Sequence, residues 1–185
     1  MVRKENNFNF VIGLILIASF SRIIPHYPNF TPIIAISLFG GKYFKNRNLA
    51  FFLPVFILWL SDLIINNFIL DYYKTFTFIY PGFYWQYFSI LLISFIGRNY
   101  INKISSFKLL GISIFSSVVF FLISNFGVWQ SSTLYSKNII GLIACYIAAI
   151  PFFYGTLASS IIYTYSLFGI YKILFESNLK FKAFK

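Results

Sequence analysis

Apolar runs separated by short polar breaks fill this chain, and their lengths suit a lipid bilayer better than a soluble core. Residues 8–24 form the first run. At about 1.5 Å per residue they predict a helix just long enough to cross the hydrocarbon layer. Pro25 and Pro28 end it, because proline has no amide hydrogen and crowds the preceding turn. Thr31 and Pro32 predict a restart, with threonine at the N-cap and proline in the first helical position. The second helix, 32–44, is short and carries Gly40-Gly41 near its end. The third, 49–68, contains Pro54, which predicts a kink, and Ser61-Asp62 late in the run. An aromatic loop follows over 71–84, with a turn at Pro81-Gly82. Further helices are predicted over 85–96 and 109–124, separated by a polar link. From Asn138 to Leu174 the chain is almost wholly apolar. One helix over that stretch would be roughly 55 Å long, too long for a bilayer of about 30 Å. Pro151 is the natural break. It predicts a short or re-entrant helix over 138–150 and a last span over 152–174.

The expected fold class is therefore all-α: a single polytopic membrane domain over 1–185 with six transmembrane helices. Composition agrees, since only 10% of the residues are charged and 59% are hydrophobic, against roughly 25% charged in soluble domains. The N-terminal R-K-E-N-N before an apolar run imitates a signal peptide. No small-x-small cleavage pattern follows, so a retained first helix is expected. A net charge of +11 would suggest nucleic acid in a soluble protein. Here its placement points to the bilayer instead. With the N-terminus inside, twelve of the fifteen basic residues fall in cytoplasmic segments, and only Arg22, Lys74 and Lys137 fall outside. That is a strong positive-inside bias. It favours six spans with both termini cytoplasmic and predicts no nucleic-acid partner. A seven-span alternative, with 138–150 crossing alone, would put the basic tail outside.

This topology gathers the polar residues on the outer side. Arg22, His26 and Asn29 lie between the first two helices, Asp62, Asn66 and Asn67 at the end of the third, and Asn125, Trp129 and Gln130 beyond the fifth. Ionisable groups within spans are costly and usually functional. The candidate solute-binding residues are Arg22, His26, Asn29, Asp62, Asn125 and Trp129, around an outward pocket between the first, third and fifth helices. Each has a plainer role: Arg22 snorkelling to headgroups or pairing with Asp62, His26 in an interfacial loop, Trp85 and Trp129 in the aromatic belt. Enzymatic readings are poor. There is one histidine, there are four carboxylates, and no zinc-protease motif, nucleophile elbow or phosphate-cradling glycine loop occurs. No metal site and no cofactor are expected. Single Cys145 excludes an internal disulfide and reads as a small packed residue.

The blocks R-I-I-P-H-Y-P-N-F-T-P-I-I-A-I-S-L-F-G-G, L-P-V-F-I-L-W-L-S-D-L, S-N-F-G-V-W and G-L-I-A-C-Y-I-A-A-I-P-F-F resemble an uncharacterised family of small bacterial membrane proteins. That family in turn resembles the substrate-binding S-components of energy-coupling factor transporters. The resemblance implies a six-helix subunit in the bacterial cytoplasmic membrane that captures a vitamin- or micronutrient-like solute from outside. Its partners would be the solute, the lipid bilayer and a transmembrane coupling protein driven by ATPases. By position, Arg22, Asn29, Asp62, Asn125 and Trp129 match the family's polar blocks. Two departures stand out: helix 1 lacks the A-x-x-x-A docking pattern, and the last helix has Gly155 and Ser159-Ser160 where the family has Asn and Asp. The alternative is a non-transporting membrane scaffold or assembly protein whose polar cluster is structural.

Overall fold

In the computed structural model the apolar runs become six α-helices among the described residues: α1 (Val2–Phe20), α2 (Ile33–Tyr43), α3 (Arg47–Ile64), α4 (Phe83–Tyr100), α5 (Ser106–Ser131) and α6 (Ile139–Tyr171). The structure describes residues 2–24, 26–70, 73, 75–102 and 104–176, the side chains of 2–7, 175 and 176 excepted. Pro25, Asp71, Lys74, Lys103 and the basic tail beyond 176, which enter the helix-stop and charge arguments above, lie outside that set. Wide π-helical turns extend α3 over Ile65–Ile69 and α6 over Lys172–Glu176. Three stretches, Arg47–Ile69, Ser106–Ser131 and Ile139–Leu174, are long and apolar enough to cross a membrane.

Short polar side chains set several starts by accepting from otherwise unpaired amides. Asn46 caps α3 through the Asn48 and Leu49 amides, Ser105 caps α5 through Lys108, and Asn138 caps α6 through Gly141. The expected Thr31 cap is displaced by one residue: Pro32 occupies the N-cap of α2, with no side-chain hydrogen bond. Helices α4 and α5 run past the expected 85–96 and 109–124, because Arg98, Asn99 and Gln130 sit on turns that the apolar pattern alone leaves out. The larger correction concerns 138–174. The chain does not break at Pro151, and α6 is one helix of 33 residues, about 50 Å long. A proline removes a single amide donor. Abandoning the helix there would strand several backbone groups, which an apolar environment penalises far more. Pro54 likewise lies inside a continuous α3.

The helices alternate in direction, as long-range contacts at both ends show. At one end Phe8 of α1 meets Phe44 after α2, Arg98 near the end of α4 donates to the Phe44 carbonyl (3.0 Å), and Tyr165 of α6 donates to Ser106 at the start of α5 (2.6 Å). At the other end Tyr84 of α4 donates to Gln130 of α5 (2.8 Å). Helix α2 is the centre: it touches all five other helices, and residues Ile33 to Gly41 are all buried. Close approach replaces hydrophobic drive between helices in lipid. Glycines permit it where α2 crosses α4. A Cβ on Gly41 would stand 2.3 Å from the Ser94 carbonyl oxygen, and one on Gly97 2.4 Å from that of Leu38. Between α5 and α6 the seam is made of small hydroxyl residues. Ser117 and Ser160 share a hydrogen bond of 2.6 Å, and Ser113, Ser116, Ser159 and Thr164 are buried beside them.

Candidate functional site

After α1 the chain continues in tightened turns, with the Ser21, Arg22 and Ile23 amides each bonded three residues back. They bring the Arg22 side chain inward, where its Nη2 makes an ion pair with Oδ1 of Asp62 in the last turn of α3. Both side chains are 12% exposed. The pairing uses one nitrogen and one oxygen. Arg22 Nε and Nη1 and Asp62 Oδ2 are buried with no hydrogen-bond partner among the described residues. A buried pair fully satisfied for structural purposes would use more of these groups. Tyr80, from the α3–α4 loop, lies beside Asp62 without a hydrogen bond of ordinary geometry. Burial, and after it the Asp62 charge, push its phenol well above the usual tyrosine range. It therefore remains a neutral O–H group at any physiological pH.

The following segment folds as a turn over Tyr27-Pro28-Asn29-Phe30, closed by Phe30 N–H donating to the Tyr27 carbonyl (2.9 Å). Asn29 has φ of 59°, which asparagine tolerates better than most residues. Proline second and asparagine third is the type II pattern. The turn rests on α6 at Gly155, where a Cβ would be 2.2 Å from the Pro28 carbonyl oxygen.

Beneath this turn lies a cavity of about 250 Å³, near the small end for ligand sites. Arg22 and Asn29 line it from above, Gln86 from α4, Ser124 and Asn125 from α5, and Thr156 and Ser159 from α6. Thr31 adds a hydroxyl, and Phe120, Phe121, Phe152 and Phe153 supply aromatic walls. Of the residues singled out in the sequence, Arg22, Asn29 and Asn125 come together here. Asp62 is not in the lining and is joined to it through Arg22.

His26 and Trp129 lie elsewhere. His26 is exposed, with Nδ1 2.9 Å from the Tyr27 carbonyl. Trp129 points into the α5–α6 connection, donating from Nε1 to Ser136 (2.9 Å), with the Lys137 ammonium over its ring. Trp85 packs on the α5 backbone at Gly127. Asn67 ties the α3–α4 loop down through both the amide and carbonyl of Thr77. The expected pocket between the first, third and fifth helices thus omits a wall. Thr156 of α6 escaped notice, and Ser159 stood out only as a departure from the family pattern, because hydroxyls in an apolar run look like ordinary helix residues; their three-residue spacing is the signal that marks one face.

Among the described residues no group of three or more His, Cys, Asp or Glu side chains is placed to hold a metal ion. The cavity's only ionised group is Arg22, already neutralised by Asp62. What this arrangement offers is hydrogen bonding by amides and hydroxyls between aromatic walls.

No curated protein and no solved structure shows a significant match to the chain, and the further likeness to transporter S-components has no counterpart in these comparisons. A family model does match, described as a family of unknown function, DUF6580, and it covers residues 3–183. The chain belongs to the DUF6580 family.

Proposed function

We propose that this protein is a membrane-embedded binding subunit that captures a small polar solute in the cavity under the Arg22–Asn29 turn. The observation that carries this reading is the convergence of Arg22, Asn29 and Asn125 with hydroxyls from three elements on one cavity of about 250 Å³. Because the Arg22 charge is already balanced by Asp62, a neutral or zwitterionic solute fits better than an anion. The sequence holds no nucleotide-binding motif, so uptake would need a separate energising module, and the role is binding rather than catalysis. In this proposal the chain spans the bacterial cytoplasmic membrane six times with both termini inside, which places the cavity towards the outer face.

Native mass spectrometry of the protein released from lipid nanodiscs tests this. A co-purified small molecule is expected on the wild type and on His26→Ala, and is lost from Asn125→Leu. Retention of the same adduct by Asn125→Leu would sink the proposed site.

A second reading, a scaffold whose polar cluster is structural, draws on the Arg22–Asp62 ion pair itself. The two separate by mutation. Under solute capture, Arg22→Ala and Asp62→Asn each abolish the adduct while the chain stays folded. If both single variants instead unfold and Arg22→Ala/Asp62→Ala recovers the fold, the pair is structural.

A further inference from the structure

The opposite end of the bundle carries features that the solute cavity does not use. Between α3 and α4 lies a crevice of about 360 Å³ lined by Arg47, Phe51, Phe95, Arg98 and Asn99. Arg47 is the first residue of α3, so it sits where the helix leaves the apolar layer. Its guanidinium stands over the Phe51 ring, 5.9 Å from the centroid, and it has no ion-pair partner among the described residues. Arg98 turns part of its guanidinium to the Phe44 and Lys45 carbonyls, at 3.0 and 3.3 Å. Those bonds fix its position without neutralising its charge. The only carboxylate among the described side chains is that of Asp62, at the far end of α3. Two guanidinium groups therefore share one crevice with no described anion near them.

The crevice does not end in solvent on all sides. Phe95 also lines a second, almost purely apolar groove of about 470 Å³ between α4 and α5. Leu92, Phe95 and Tyr100 form one wall of the groove and Ile112, Phe115 and Val119 the other. Positions 112, 115 and 119 are spaced three and four apart, which places them on one face of α5. They span about 10 Å of helix, most of the depth of one leaflet's hydrocarbon layer. A basic crevice at the level of the helix ends and an apolar groove directed away from those ends thus share the Phe95 side chain.

We infer that the α3–α4 crevice and the α4–α5 groove together form a site for one anionic phospholipid. Its phosphate sits between Arg47 and Arg98, Asn99 supplies a polar contact to the headgroup, and one acyl chain lies along Phe95 toward Val119. Guanidinium forks match phosphate oxygens, and basic pockets between transmembrane helices select such headgroups. A free phosphate would satisfy the two arginines equally well but would leave the groove unused. This site is independent of the solute cavity at the other end.

The test uses purified, delipidated protein in mild detergent, read by native mass spectrometry with three probes: dioleoylphosphatidylglycerol, dioleoylphosphatidylcholine and soluble glycerol phosphate. The phosphatidylglycerol adduct is expected to survive activation energies that strip phosphatidylcholine, with no glycerol phosphate retained. Arg47 is exposed, so Arg47→Gln should fold normally and lower phosphatidylglycerol retention about fivefold, the effect of one basic side chain near an anionic surface. Val119→Trp, which fills the groove from α5, is expected to lower it as well. Equal retention of the two lipids, or an Arg47→Gln protein indistinguishable from wild type, would overturn the proposal. Retention of glycerol phosphate as strong as that of the lipid would make this a phosphate site and refute the lipid assignment.

Discussion

Substituting alanine for glycine at two positions of the same helix should move stability in opposite directions. Gly155 and Gly169 both lie in α6. Around Gly169 an added Cβ meets nothing within 4 Å, so only the backbone entropy of glycine is relieved. Gly169→Ala should stabilise by up to about 1 kcal/mol. At Gly155 the new carbon would stand 2.2 Å from the Pro28 carbonyl oxygen, 3.1 Å from Tyr27 Cδ1 and 3.4 Å from the Phe30 amide nitrogen. The nearest of these is backbone and cannot rotate away. To reach ordinary contact the turn must lift by roughly 1 Å. Overpacking of that kind costs about 1–3 kcal/mol, which exceeds the propensity gain. The two variants should therefore differ by about 1–3 kcal/mol. For a chain of this size that separates their thermal midpoints by roughly 3–9 °C, measurable by tryptophan fluorescence in detergent. Asn29 rides on the same turn and lines the cavity, so Gly155→Ala should also weaken the solute adduct while Gly169→Ala leaves it intact. If both alanines shift the midpoint by the same amount and in the same direction, the turn does not rest on Gly155 and the packing argument is wrong.

Three further outcomes are expected. The Ser117–Ser160 hydrogen bond should show a coupling of about 0.6 kcal/mol in a Ser117→Ala/Ser160→Ala double-mutant cycle, typical of bonds between membrane helices; a coupling of zero would remove it from the seam. Gly97→Val should destabilise more than Gly155→Ala, because its Cβ faces the Leu38 backbone in the buried Ile33–Gly41 stretch of α2; unchanged urea or heat resistance would contradict the close crossing. In a Cys145→Ala background, Lys137→Cys should react with a membrane-impermeant maleimide in intact cells, and Lys45→Cys only after permeabilisation. The reverse pattern would invert the proposed orientation.

Much of this molecule is legible from hydropathy and a few polar marks. Asn138 caps α6 where the apolar stretch begins, and Arg22 and Asp62, forty residues apart, do pair. What the sequence hides has physical causes. Pro151 looks like a break because the local rule counts only the lost hydrogen bond, whereas the surrounding 33-residue helix weighs every other bond against leaving the chain unpaired. Thr156 passes for an apolar position and Ser159 stands out only against the family pattern; each hydroxyl bonds back to its own helix, to Phe152 and Thr156. Only the packing of α5 against α6 reveals that they share a wall with Asn125. Sequence position alone points Trp129 to the cavity, but α5 continues to Ser131 and carries the indole round to the Ser136 carbonyl. Gly155, in the sequence a departure from the family's last-helix pattern, is explained by the turn that rests on it.

The shortness of α2 bears on how such a chain reaches its final state. Eleven residues of helix cover about 16 Å, near half the hydrocarbon thickness, so this segment is a poor candidate for insertion by itself. Its partners α4 and α6, which contribute Gly97, Phe168 and Tyr171 to its packing, are synthesised later. The packing of α2 is therefore complete only once these downstream helices have been made. A chain cut between α2 and α4 should leave its first half exposed to quality-control proteolysis, and supplying the second half in trans should rescue it.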